Sequence, residues 1–133
     1  MSYVRQQRFP RTRVSVRAAR QFVGDTLAEW AVTERREDIR LCVSELAANA
    51  VLHGVPMGRE FAVRLLWEGA VLWIEVRDSG PGHPLICHPA ADAQAGRGLW
   101  LVSELADEFV VRDGRVGKTA CVAFELSTGQ VLR

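Results

Sequence analysis

The chain has 133 residues, which is a typical length for one domain built around one hydrophobic core. Apolar residues make up 48% of it and charged residues 25%, a composition that excludes disordered, collagen-like and disulfide-scaffold proteins. A net charge of +1 gives no general basic surface for direct binding to nucleic acid. No apolar run approaches the roughly 18 residues that a membrane span needs, and the three cysteines lack CxxC spacing. We therefore expect a cytoplasmic protein with free thiols.

The positive charge is concentrated at the start of the chain. Residues 1–20 contain no acid and six arginines, which are Arg5, Arg8, Arg11, Arg13, Arg17 and Arg20. The rest of the chain is net acidic. These arginines are either the solvated face of an edge strand and a first helix turn, or a surface that meets an acidic partner.

Hydrophobic spacing predicts a strand over residues 3–9, followed by two helices. Ser15 is expected to cap the first helix, which extends over 15–30 with apolar residues at helical spacing. The second helix is expected over 33–53, because a glycine and a proline follow directly.

Alternating β-forming residues then predict a hairpin with strands over 61–67 and 71–77. Residues 79–96 contain three prolines and are expected to form a lid that closes over a ligand. The last predicted elements are a helix over 98–106 and strands over 108–112 and 119–126. Helices combined with a mostly antiparallel mixed sheet predict an α+β fold, a two-layer sandwich with the helices on one face.

The second predicted helix carries a polar stripe on an otherwise apolar surface. Glu45, Asn49 and His53 recur at i, i+4 and i+8, which places them on one face. A carboxylate and an amide are costly to bury without partners, so they either pair inside the protein or line a site that holds a cation or water. An exposed stripe without chemistry is the alternative.

Two glycine-containing segments follow. The sequence DSGPG at 78–82 places Asp78 at a strand end, which is ordinary turn chemistry but also lets a ligand approach the backbone. The sequence GRGL at 96–99 opens a helix, where unpaired amides and the Arg97 side chain favour an anion such as phosphate. Capping and packing alone explain the same pattern.

Two other patterns are weak. The sequence GRVGKT at 114–119 has two residues between its glycines where a phosphate-binding P-loop has four, and a predicted strand follows it instead of a helix. His83, Cys87 and His88 lack a fourth ligand at a fitting distance along the chain, which favours polar loop residues over a zinc site.

The order of these motifs resembles the GHKL, or Bergerat-fold, ATP-binding family. That order is ExxxNxxxH on a helix, a hairpin, DxGxG, a proline-rich loop, GxGL on a helix and Gly-x-Thr entering a last strand. The phrases VSELAANAVLHG and GRGLWLVSELAD are most similar to the anti-sigma-factor serine kinases and their small bacterial relatives. The resemblance covers about residues 9–126 and implies one histidine-kinase-like ATPase domain over residues 1–133.

The resemblance also implies a role for each matching residue. Asn49 would bind the Mg²⁺ that bridges the ATP phosphates, Glu45 would act as the general base, and Asp78 would accept the adenine amine. Thr119 would support the Asp78 contact, usually through water. The residues that would hinge the lid or meet the nucleotide are Gly80, Gly82, Gly96, Arg97, Gly98 and Leu99. Lys118 stands where the family often has a second glycine.

The function implied by the resemblance is that of an ATP- and Mg²⁺-dependent serine/threonine kinase. It would phosphorylate a small antagonist protein, sequester a sigma factor and form a homodimer, without contacting nucleic acid or a membrane. The alternative is a binding module that uses ATP or ADP only to set its shape while it holds a regulatory partner. Glu45 favours the kinase, because a pure binder has no need of that carboxylate.

Overall fold

The computed structural model describes residues 2–53, 60–78, 95–113 and 118–127. The elements in chain order are β1 (Ser2–Pro10), α1 (Arg13–Glu29), α2 (Arg36–His53), β2 (Glu60–Glu68), β3 (Val71–Asp78), α3 (Ala95–Leu105), β4 (Glu108–Asp113) and β5 (Lys118–Glu125). None of the three helices in these ranges has the length and apolar character that crossing a membrane requires.

The five strands form one sheet in the order β1-β2-β3-β5-β4, and each neighbouring pair is antiparallel. The helices form a second layer, in which α2 contacts both α1 and α3 and packs on β3. The predicted two-layer α+β sandwich is confirmed. The described strands pair in antiparallel fashion throughout, where the sequence predicted a mostly antiparallel mixed sheet.

The face of the sheet under the helices is apolar because buried residues alternate along the strands. On β2 and β3 every second residue is buried, and the fully buried side chains include Phe61, Leu65, Leu72 and Ile74. Each such side chain contributes about 1.5–3 kcal/mol on burial. The same alternation places Asp78, the last residue of β3, on this apolar face.

The first helix begins earlier than predicted. Thr12, in an extended conformation, is the N-cap residue, and Ser15 lies buried in the first turn with its Oγ 3.0 Å from Thr12 Oγ1. The Thr12 N–H donates to the Pro10 carbonyl at 2.9 Å, so the chain turns directly after β1 and the helix starts at once. The prediction that Ser15 caps this helix is therefore wrong.

Two of the three cysteines are buried free thiols. Burial raises the pKa of Cys42 to about 12, and it also raises the pKa of Cys121. Both side chains are therefore protonated at neutral pH and are poor nucleophiles. Cys87 lies outside the described residues.

Arg35 links the connection between α1 and α2 to the end of α3 and to β5. It has a φ of 58°, a left-handed conformation that costs about 1–3 kcal/mol for a residue other than glycine. Its guanidinium donates to Asp107 Oδ2 at 2.5 Å and to the Leu105 carbonyl at 2.9 Å. It also lies 4.9 Å from the centroid of the Phe124 ring. These contacts offset the backbone strain.

The Asp107 carboxylate predicts a pH dependence of stability. A hydrogen bond from the Glu125 backbone N–H and a second from Arg35 lower the Asp107 pKa from its ordinary 3.8. Because the folded-state pKa is the lower one, this stabilisation is fully present above the unfolded-state value and is lost as the pH falls through the folded-state pKa. We expect Asp107→Asn to lower the free energy of unfolding at neutral pH by about 1 kcal/mol. This is less than the usual contribution of a hydrogen bond to a charged group, because solvent screens the exposed carboxylate.

Urea unfolding at a series of pH values measures this effect. The parent should lose more stability than Asp107→Asn on acidification below pH 3.8, the ordinary value of this carboxyl. Glu104→Gln, which changes an exposed carboxylate on α3, is the matched control and should follow the parent. Parallel acid profiles for the parent and Asp107→Asn would contradict the expected role of this carboxylate.

Candidate functional site

The candidate site lies where α2 meets β3 and α3. Glu45 and Asn49 lie one turn apart on α2, Glu45 partly exposed and Asn49 with 9% exposure. Among the residues that the structure describes, neither side chain forms a hydrogen bond. A carboxylate and an amide that the described part of their own chain leaves without hydrogen bonds, at the junction of two helices and a strand, are available to a ligand. His53 ends α2, and its side chain lies outside the described residues.

Gly98 brings α3 against Glu45. A Cβ added at Gly98 would collide with Glu45 Oε2 and would lie 3.3 Å from its Cδ. The helix begins at Ala95, earlier than predicted, so Gly96 and Gly98 fall in its first turn, where backbone N–H groups lack helical partners. The sequence placed these two motifs on separate helices, and the structure brings Gly98 and Glu45 into contact.

Asp78 supplies a buried carboxylate to the floor of the same region. It is 3% exposed, and it ends the strand that packs most closely beneath α2. A carboxylate on an apolar sheet face is costly to bury unless it is bound by polar groups, and such groups cluster at functional sites. Asp78 has a partner within the chain, and its role in ligand selection stays a prediction.

The strand register separates Thr119 from Asp78. Lys118 lies directly opposite Asp78 in the pairing of β3 with β5, and Thr119 lies opposite Arg77. Because successive residues of a strand face opposite sides of the sheet, the Thr119 side chain lies on the face away from the helices. The strand pairing does not bring the side chains of Thr119 and Asp78 together. Lys118 holds the register position next to Asp78.

Other residues of the predicted site divide into two groups. Leu99 is 1% exposed and belongs to the hydrophobic core, so its side chain packs α3 onto the core.

The predicted positions outside the described residues are Gly80, Gly82, most of the lid and the three loop residues His83, Cys87 and His88. The structure places the backbone of Arg97 in the first turn of α3 but does not describe its side chain. Within the described ranges, no group of three or more His, Cys, Asp or Glu side chains could hold a metal.

Arg11 supports the site in a way that the sequence did not reveal. Its Nε donates to the Ala50 carbonyl at 3.2 Å, and its Nη2 donates to the Val51 carbonyl at 2.8 Å. These carbonyls belong to the last turn of α2, where acceptors lack helical partners and a cation is favourable. Since Asn49 directly precedes them, Arg11 fixes the turn that carries Asn49. An arginine in a strand-to-helix turn has no spacing signal from which this contact could be predicted.

The six arginines of residues 1–20 fall into two groups, those with a partner inside the chain and those without an ion-pair partner among the described residues. Three arginines are engaged within the chain, Arg5 with Glu29, Arg8 with Glu60, and Arg11 with the end of α2. The other three, Arg13, Arg17 and Arg20, lie on α1 and have no ion-pair partner within the described part of the chain. The arginines without an ion-pair partner in the described ranges therefore lie on α1.

Comparisons with known proteins identify the family and the fold. The family model of the histidine kinase-like ATPase domain matches residues 9–124. A similar fold occurs in the crystal structure of the RsbU and RsbW domains of Rv1364c from Mycobacterium tuberculosis, with a TM-score of 0.73 and 22% identity. The alignment covers 98% of this chain and 34% of that one, so this chain spans about a third of its length. No curated protein matches.

At that level of identity the structural likeness shows the fold alone. The family match is independent of it and extends over most of the chain, from the end of β1 into β5. It includes Glu45, Asn49, Asp78 and Gly98, and it confirms the resemblance to GHKL ATP-binding proteins. The chain belongs to the histidine kinase-like ATPase domain family.

Proposed function

We propose that this ATPase-family domain is a serine/threonine protein kinase of the anti-sigma-factor type, which binds ATP with Mg²⁺, phosphorylates a small antagonist protein and sequesters a sigma factor. The observation that carries the proposal is the Glu45 carboxylate, held against the first turn of α3 and one turn from Asn49. A carboxylate at that point lies beside the backbone amides suited to phosphate, where a proton acceptor is needed for phosphoryl transfer.

The described residues fit an adenine nucleotide and a divalent cation. The Asn49 amide oxygen is the kind of hard ligand that Mg²⁺ accepts, and the side chain makes no hydrogen bond to another described residue. The absence of a side chain at Gly98 leaves the approach to the helix start open. The buried Asp78 carboxylate is an acceptor for an exocyclic amine.

Each residue then has one task. Bound Mg-ATP supplies the phosphoryl group, and the cation neutralises charge on the phosphates. Asn49 would hold the cation through its side-chain oxygen, the first-turn amides of α3 would bind phosphate oxygens, and Asp78 would accept a hydrogen bond from the adenine amine. Glu45 would take the proton from the serine or threonine hydroxyl that the antagonist presents, while the hydroxyl oxygen bonds to the γ-phosphorus, the bond from that phosphorus to the β–γ bridging oxygen breaks, and ADP leaves.

The surface of α1 is the proposed contact for an acidic partner such as the sigma factor. Arg13 and Arg17 are exposed there, and Val14 beside them is 77% exposed. Cations on a surface that also offers an apolar side chain suit a partner with acidic residues around a hydrophobic contact. Of the other arginines in this segment, Arg5, Arg8 and Arg11 contact groups within the domain.

Substitution of Asp78 tests the nucleotide assignment. The parent should bind ATP and ADP more tightly than GTP, because guanine presents a carbonyl where adenine presents an amine. In Asp78→Asn an acceptor oxygen is lost, and we expect the affinity for ATP to fall by about 10- to 100-fold, the range for one charged hydrogen bond. Isothermal titration calorimetry measures both comparisons.

The matched control is Glu75→Gln, which changes a carboxylate on the same strand but on the opposite face, where Glu75 meets Arg64 at 3.3 Å. Its nucleotide affinity should equal that of the parent. Equal affinity of the parent for ATP and GTP would refute the role of Asp78.

A further inference from the structure

Arg11 occupies the short turn that joins β1 to α1. The Thr12 N–H donates to the Pro10 carbonyl at 2.9 Å, two residues earlier in the chain, so Arg11 is the central residue of a three-residue γ-turn. Its φ is not positive, which identifies the common inverse form of this turn. Because β1 pairs with β2 as far as Pro10 and α1 begins at Arg13, elements on both sides hold the Arg11 backbone in place.

The side chain of Arg11 binds the last turn of α2. That helix ends at His53, so the carbonyls of residues 50–53 lack the N–H partners that a further turn would provide. The Arg11 Nε and Nη2 groups lie on one edge of the guanidinium and donate to the Ala50 and Val51 carbonyls at 3.2 and 2.8 Å. The third nitrogen, Nη1, is buried without a hydrogen-bond partner among the described residues. The guanidinium is therefore packed against the protein and does not extend into water.

Asn49 immediately precedes the two carbonyls that Arg11 binds. It is 9% exposed, and within the described ranges its side chain has no hydrogen bond to hold it. A side chain without such a bond takes its position from the backbone that carries it. The order of the last turn of α2 therefore determines how accurately the Asn49 oxygen is placed.

Accurate placement matters for the cation assigned to Asn49. Mg²⁺ demands near-ideal octahedral geometry, so its affinity depends on how well each ligand is oriented. We propose that Arg11 is a positioning residue for the cation site, which holds the Asn49 oxygen in place through the last turn of α2 and thereby sets the Mg²⁺-dependent part of the nucleotide affinity. This role rests on the proposed binding of Mg-ATP.

A positioning role differs from a simple effect of the Arg11 charge. A positive charge near the site attracts every form of ATP, and it attracts metal-free ATP more strongly, because metal-free ATP carries more negative charge than Mg-ATP. Loss of an attractive charge would therefore weaken the binding of metal-free ATP more than that of Mg-ATP. Loss of a positioning contact has the opposite signature, because only the metal complex uses the Asn49 oxygen.

Calorimetric titration of Arg11→Met with Mg-ATP, and with ATP in excess EDTA, measures this signature. We expect the dissociation constant of Mg-ATP to rise about tenfold, the lower end for residues that orient a metal ligand, while that of metal-free ATP stays close to the parent value. In an Asn49→Ala background Arg11→Met should cause little further loss, because the ligand it positions is gone. Arg11→Lys keeps the charge but not the planar pair of donors, so it should resemble Arg11→Met.

NMR of the nucleotide-free protein gives a second readout that needs no bound ATP. The backbone amides of residues 51–53 bond to carbonyls one turn earlier in α2, and their hydrogen exchange should be faster in Arg11→Met than in the parent. Exchange in the buried middle of the helix should not change. The side-chain amide protons of Asn49 should give one sharp pair of signals in the parent and broadened signals in the variant.

Arg5→Met serves as the control, since it removes an arginine of the same segment whose guanidinium pairs with Glu29 on α1. Its affinities and the exchange of residues 51–53 should equal those of the parent. Far-UV circular dichroism establishes that each variant is folded, and Arg11→Lys gives the same comparison if Arg11→Met does not fold.

Three results would overturn the role of Arg11 alone. These are an unchanged Mg-ATP affinity in Arg11→Met, an equal loss of affinity for Mg-ATP and metal-free ATP, and full recovery of Mg-ATP affinity by Arg11→Lys. A parent that binds ATP neither with nor without Mg²⁺ would overturn the proposed function and the role of Arg11 together, so the two failures are distinguishable.

Discussion

Glu45→Gln is expected to lower the rate of phosphate transfer to the antagonist by about 10²-fold or more, the range for a lost general base. The glutamine keeps the size of the side chain beside Gly98, so the packing of α3 on α2 should not change. Affinity for Mg-ATP and for the sigma factor should stay close to that of the parent. The measurements are incubation with labelled ATP and candidate antagonists, and calorimetry for the two binding constants.

Asn49→Ala is the matched contrast on the same helix face. Because its side-chain oxygen is assigned to the cation, its loss should weaken Mg-ATP binding itself, whereas Glu45→Gln should spare it. A parent that transfers no phosphate to any antagonist it binds, together with a Glu45→Gln variant that keeps every binding constant, would show that the kinase proposal is wrong. The nucleotide-gated binding module would then be the correct function.

Gly98→Ala is expected to reduce phosphate transfer by about 10- to 100-fold with little loss of stability. The added Cβ collides with the end of the Glu45 side chain, while Leu99 and Val102 hold α3 in the core. The flexible carboxylate therefore gives way instead of the helix. A displacement of about 1 Å at a reacting group can cost as much as 10²-fold in rate.

The double variant Glu45→Gln/Gly98→Ala distinguishes this mechanism from a general disturbance. If Gly98 acts through the carboxylate, the added alanine should cause no further loss of transfer in the Glu45→Gln background. Gly69→Ala is the control, since Gly69 has a φ of +62° and nothing within 4 Å of an added Cβ. That variant should lower stability by about 1 kcal/mol but leave transfer by the folded protein unchanged. Full transfer activity in Gly98→Ala would contradict the positioning role.

Local patterns in the sequence were sufficient to predict most of the helices and strands. The alternation in β2 and β3 predicted both strands within a residue or two, because it follows directly from which face is buried. The predicted start of α1 was wrong. Thr12 and Ser15 are both of residue types that cap helices, and the hydrogen bond from the Thr12 N–H to the Pro10 carbonyl turns the chain so that the helix starts directly after Thr12. Such a bond depends on how the strand before the helix is held.

The candidate site likewise has features that local spacing predicted and features that depend on contacts between elements. The spacing of Glu45 and Asn49 placed them on one face, since helical periodicity is a local property. The contact of Gly98 with Glu45 depends on how closely two helices pack, which no spacing within either helix encodes. The position of Thr119 depends on the register of β5 against β3, and a shift by one residue exchanges the two faces of a strand.

The order of the strands has a consequence for how the domain assembles. The β2–β3 hairpin joins residues close in sequence, whereas β1 pairs with β2 across the length of α1 and α2. Closing the longer loop costs more chain entropy, so we expect the hairpin to form early and β1 to dock late. Arg11, which follows β1 and holds the turn bearing Asn49, arrives with it. Nucleotide would then bind only the completed fold and, by mass action, protect the last-docking strand from opening.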